Sequence, residues 1–100
     1  MAQTSLERRS RIEALLRERL AAVHVEVLDE SALHAGHAGA AGGAGHFRAL
    51  VVSSRFEGRS LVERQRLVYA ALAELMRAEI HALALRTLTP EQWQADAAGA

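Results

Sequence analysis

Three histidines, His34, His37 and His46, punctuate the segment ALHAGHAGAAGGAGHF over residues 32–47, which otherwise holds only alanine, glycine, leucine and phenylalanine. Neutral imidazole is a good ligand for zinc, copper, iron and nickel. The chain has no cysteine, which excludes disulfides, thiolate metal sites and thiol catalysis together. A transition metal held by this chain is therefore held through histidine. Three histidines with an open position for water also describe a hydrolytic metal centre, but no acid or base is visibly arranged beside them, so that reading ranks last. A second group with chemical potential is basic. Arg55, Arg59, Arg64 and Arg66 gather in RFEGRSLVERQR, a patch suited to phosphate oxygens or to an acidic partner. Its alternative is an ordinary solvated helix face with Glu63 as a neighbour.

Positioning these residues requires a scaffold, and the hydrophobic periodicity supplies one. Thr4 and Glu7 have the spacing of a capping box, and Ile12, Leu15, Leu16 and Leu20 then recur on one face of a helix. In VHVEVLD, residues 23–29, Val23, Val25 and Val27 alternate with His24 and Glu26, the pattern of a half-buried strand with His24 outward. HFRALVVSS, from His46 to Ser54, reads as a second strand that pairs antiparallel with the first, with His46 structural and Phe47 in the core. The histidine-bearing connection, residues 33–45, is a flexible loop longer than a hairpin needs, and loops of about a dozen residues tend to be functional or disordered. Its GHAG, residues 36–39, satisfies the GXXG of a nucleic-acid-clamping loop, but between strands rather than helices. Gly58 turns the chain into a second helix, capped by Ser60 and Glu63, with Leu61, Val68, Leu72, Leu75 and Met76 along one stripe. IHALALRTL is a third strand, with His81, Leu83, Leu85 and Thr87 in phase. Thr89 and Pro90 start a short final helix that brings Trp93 back to the body, and residues 95–100 read as a tail. The order predicts an α+β domain, a three-stranded sheet with helices packed on one face.

Composition sets the outer limits. One hundred residues, half of them hydrophobic, suffice for one domain, here residues 1–100 with a core over about 5–94. Twelve basic and twelve acidic side chains cancel, so no overall field draws the chain to nucleic acid or to an anionic membrane. No apolar run approaches the roughly 20 residues of a membrane span, and the start of the chain lacks a secretory pattern. The expectation is a cytoplasmic protein without a membrane role.

VLDES followed by HAGH, then HFRALVVSSRFEGRSLVERQRLVYAAL, and finally IHALALRTLTPEQW, resemble the BolA family from Ile12 to Trp93. The resemblance implies a fold similar to a type II KH domain and a non-enzymatic role as partner of a monothiol glutaredoxin. In that heterodimer the two proteins and glutathione share a [2Fe-2S] cluster for iron-sulfur trafficking or iron sensing. It further implies that His34 and His81 are the cluster ligands, with His37 as a possible substitute for His34, and that the isolated chain holds no cofactor. The two thiolates of such a cluster would come from outside a chain that has no cysteine. The alternative role within the family is a DNA-binding transcriptional regulator, which would rest on the arginine patch and bind weakly. One departure is local: where the family often carries arginine, histidine, arginine, this chain has Arg64, Gln65 and Arg66.

Overall fold

The computed structural model describes residues 5–30 and 45–98. The elements are α1 (Ser5–Leu20), β1 (His24–Asp29), β2 (Gly45–Val52), a 3-10 turn (Ser54–Phe56), α2 (Leu61–Ala71), α3 (Ala73–Ala78), β3 (Ile80–Leu88) and α4 (Pro90–Ala98). The sheet order is β1-β2-β3. β1 and β2 pair antiparallel, as their alternating patterns predict, whereas β2 and β3 run parallel. A parallel pair requires a crossover long enough to carry the chain back along the sheet, and α2 with α3 provides it.

The core forms where α1, α2 and α3 cover one face of the sheet. Ile12, Leu16 and Leu20 of α1, Val25 of β1, Phe47, Ala49 and Val51 of β2, and Val68, Ala71, Leu72 and Leu75 of the crossover are buried together, with Leu83 and Leu85 packed at the margin. This matches the predicted stripes with two corrections. Val23 lies before β1 and is 61% exposed, and Leu61 at the start of α2 is exposed to the same degree. Phe56 is fully buried instead, with Arg64 5.9 Å over its ring. The single helix expected from Leu61 to Met76 is interrupted at Leu72 (φ −108°, ψ 17°). No glycine or proline marks the break, and both Leu72 and Leu75 stay in the core across it.

The helix ends follow local chemistry. Ser60 Oγ accepts the Glu63 N–H while Glu63 Oε1 accepts the Ser60 N–H, the reciprocal box that the sequence predicts. Thr4, its counterpart before α1, lies outside the described residues. Thr89 and Gln92 close a similar pair at α4. That cap helps α4 to continue through Ala98 where a tail was expected, and Asp96 pairs with Arg86 at 2.8 Å. α4 also departs from the one-face picture of the other helices. Trp93, expected in the core, stacks on His24 with ring centroids 4.6 Å apart, on the sheet face opposite Val25. His24, expected simply to face outward, thus contacts α4, and its Nε2 lies 2.7 Å from Glu26 Oε2.

Candidate metal site at the strand starts

Because β2 and β3 are parallel, both begin at the same end of the sheet, and each begins with a histidine one residue in. Gly45 aligns with Ile80 and His46 with Ala82, so β3 carries one extra residue at this point. That extra residue is His81. Simple alternation puts His81 in phase with Leu83 and Leu85, toward the core. The bulge breaks this phase: Ile80 is buried, Leu83 packs at the core margin, and His81 is exposed. Bulges commonly re-aim a side chain in this manner. The outcome is a pair of imidazoles, His46 and His81, with ring centroids 5.0 Å apart and planes inclined by 46°.

The ring separation matches that of two imidazoles sharing one metal ion. Two imidazoles on one tetrahedral ion, with metal–nitrogen bonds of about 2.0–2.1 Å, place their ring centroids about 5 Å apart. Among the described residues no group of three or more His, Cys, Asp or Glu side chains is placed to hold a metal ion. Two neutral nitrogen donors make half a coordination sphere, and the remainder must come from elsewhere. His46, read from sequence as structural, stands beside His81, a proximity that periodicity along the chain does not show. Its signal was available only through the parallel register. The Glu30 N–H donates to the His46 carbonyl at 2.7 Å, and Glu30 also pairs with Arg48, so the end of β1 is anchored beside this site. His34, His37 and the GHAG segment lie outside the described residues.

The arginine patch is reorganised by the fold. Arg55, Arg59 and Arg66 are exposed, but Arg64 is half-buried and directed inward. Its Nη1 donates to the Thr87 carbonyl (3.3 Å) and to Gln92 Oε1 (2.8 Å), and its Nε donates to the Arg59 carbonyl (3.1 Å). A guanidinium so engaged ties α2 to the end of β3 and the start of α4, and Arg64 leaves the expected phosphate-binding set. Within the patch, the Glu63 carboxyl is held below the usual carboxylate range. The Ser60 backbone N–H is the largest cause, followed by the Ser60 side chain, with Arg59 and Arg66 adding to it.

An α+β domain with a three-stranded mixed sheet, a two-helix crossover and histidines at two strand starts defines the class of protein. The description BolA-like protein fits a family model that matches residues 16–92, and the chain belongs to the BolA family. It is 48% identical over 84 residues to BolA-like protein 1 of Bos taurus, an alignment covering 83% of this chain and 62% of that protein. It is 42% identical over 86 residues to the DNA-binding transcriptional regulator BolA of Escherichia coli (strain K12), covering 86% of this chain and 79% of that one. The solved BolA domain of SufE1 from Arabidopsis thaliana superposes with a TM-score of 0.74 at 39% identity, covering 90% of this chain and 98% of that chain. This chain thus spans about three fifths of the length of the mammalian BolA-like protein 1 relatives it matches. No helix is long and apolar enough to cross a membrane among the described residues.

Proposed function

We propose that this chain lends histidine ligands to a [2Fe-2S] cluster shared with a monothiol glutaredoxin and glutathione, in iron-sulfur trafficking or iron sensing, and is not itself an enzyme. The observation that carries this reading is the His46–His81 pair, two imidazoles at ligation distance on adjacent strand starts with His81 exposed. His81, set by the bulge, is the fixed ligand. The second imidazole comes from His34, with His37 as its substitute, or from His46, which already stands beside His81. Histidine in place of thiolate on one iron raises the potential of such a cluster. A chain without cysteine needs a partner that brings the sulfur ligands, which supports a shared site over a self-sufficient one.

Mixing the purified chain with a cluster-loaded glutaredoxin homodimer tests the proposal. The expected result is a heterodimer by elution volume, with an altered visible circular dichroism spectrum. Unchanged elution and an unchanged spectrum would remove the reading.

The Escherichia coli relative's name supports a second reading, DNA binding, through the exposed Arg55, Arg59 and Arg66. With zero formal net charge and Arg64 turned inward, few phosphates can be neutralised. Binding is then weak, independent of sequence and abolished by modest salt. Tight, sequence-selective binding at physiological salt would favour this role over cluster sharing.

A further inference from the structure

The two edges of the sheet are built differently. Along β1 and its end stand Glu26, Asp29 and Glu30, charges of the kind that discourage edge-to-edge pairing. β3 reads Ala82, Leu83, Ala84, Leu85 between the His81 bulge and Arg86, with no charge or proline in that run. Its outward backbone groups can be assigned. The Leu88 carbonyl accepts from the Ser53 N–H, next to β2, while the Thr87 carbonyl accepts from Arg64 on the other side. Alternate residues of a strand direct their backbone groups to opposite edges, so Leu83 and Leu85 present theirs outward. The side chains repeat the asymmetry. Leu83 and Leu85 are only partly buried at the core margin, and Ala82 and Ala84 are exposed on the other face.

We propose that the β3 edge pairs antiparallel with the β3 edge of a second copy of this chain, about a two-fold axis at Ala84. In this register Leu83 of one copy opposes Leu85 of the other, and these are the residues whose N–H and C=O groups point outward. Four main-chain hydrogen bonds form, and the marginal leucines of both copies meet on the helix-covered face. Ala84 opposes its own copy in a non-hydrogen-bonded pair, where Cα atoms approach to about 4.5 Å and a small side chain is suited to the closeness. Arg86 opposes Ala82, so no like charges face each other. The ladder is short at both ends, limited by the His81 bulge and by the Arg64 contact at Thr87. The association is therefore weak and depends on concentration.

Sedimentation equilibrium from about 10 μM to about 1 mM, in the range of weak complexes, tests the proposal together with amide hydrogen exchange followed by NMR. The expected result is an average mass rising from monomer toward dimer, with the Leu83 and Leu85 amides gaining protection as concentration rises. Ala84→Lys places an exposed ammonium opposite its copy at the axis and should weaken the dimer at least about tenfold, with the far-UV spectrum unchanged. A protein that stays monomeric through the range overturns the proposal. So does a dimer in which the Leu83 and Leu85 amides exchange at the same rate at all concentrations, whatever the behaviour of Ala84→Lys. Neither outcome bears on cluster sharing, which is read by mixing with glutaredoxin.

Discussion

At the scale of single residues, the decisive feature is that His81 is displaced from the alternation of its own strand. An imidazole buried in phase with Leu83 and Leu85 would be inaccessible to a partner, and the bulge makes it accessible. In the proposed heterodimer with glutaredoxin, His81→Ala should therefore weaken retention of the proposed cluster most. His34→Ala alone should do less, because His37 and His46 remain to substitute. His46→Ala separates the candidates, since a defect equal to that of His81→Ala assigns the second position to His46. Cluster loss rates followed by visible circular dichroism measure the series. A second residue-scale expectation concerns Trp93, the only tryptophan, stacked on His24 with ring centroids 4.6 Å apart. His24→Ala removes this stacking partner and should shift the Trp93 emission maximum, read by fluorescence.

At the scale of elements, helix ends set the local stability. The depressed Glu63 pKa arises chiefly from the Ser60 backbone N–H. A carboxylate favoured in the folded state stabilises at pH above its unfolded value, and that contribution is lost as pH falls through the folded one. Urea unfolding across the acid range should accordingly show a loss of stability on the acid side that is smaller in Glu63→Gln. Ser60→Ala, which leaves an N-terminal donor without its acceptor, should cost about 1 kcal/mol at neutral pH. The end of α1 offers the opposite opportunity. Ala21 adopts φ 49°, a left-handed conformation that costs an L-residue about 1–2 kcal/mol and glycine little. Ala21→Gly should raise stability by about 0.5–1 kcal/mol, since glycine's greater unfolded freedom offsets part of the relief. Thermal and urea unfolding would both register it.

At the scale of the whole molecule, Arg64 fastens the start of α2 to the end of β3 and the start of α4. Arg64→Ala removes its hydrogen bonds to the Thr87 and Arg59 carbonyls and to Gln92 and should destabilise the fold by about 1–3 kcal/mol. Arg66→Ala, at an exposed position of the same helix, should stay within about 0.5 kcal/mol. Urea midpoints of the two variants compare them directly. If Arg66 proved the more costly, Arg64 would belong to a surface patch after all.

The sequence by itself determined the elements and most of the core. Ile12, Leu16 and Leu20 recur with the helical period, and Val25, Phe47, Ala49 and Val51 with the strand period. Ser60 with Glu63 announces a helix start through bonds made within four residues. These are local facts, because a periodic stripe is buried wherever an element has one apolar face. What the sequence could not state is which element meets which. The parallel register that sets His46 beside His81, the bulge that turns His81 outward, the inward path of Arg64 to Thr87 and the stacking of Trp93 on His24 all join residues at least 23 positions apart. Each depends on the crossover returning β3 alongside β2 and on α4 folding over the opposite face. Such contacts are fixed by how layers pack rather than by any pattern along the chain, so the packing of sheet and helices sets where His46, His81 and Arg64 point.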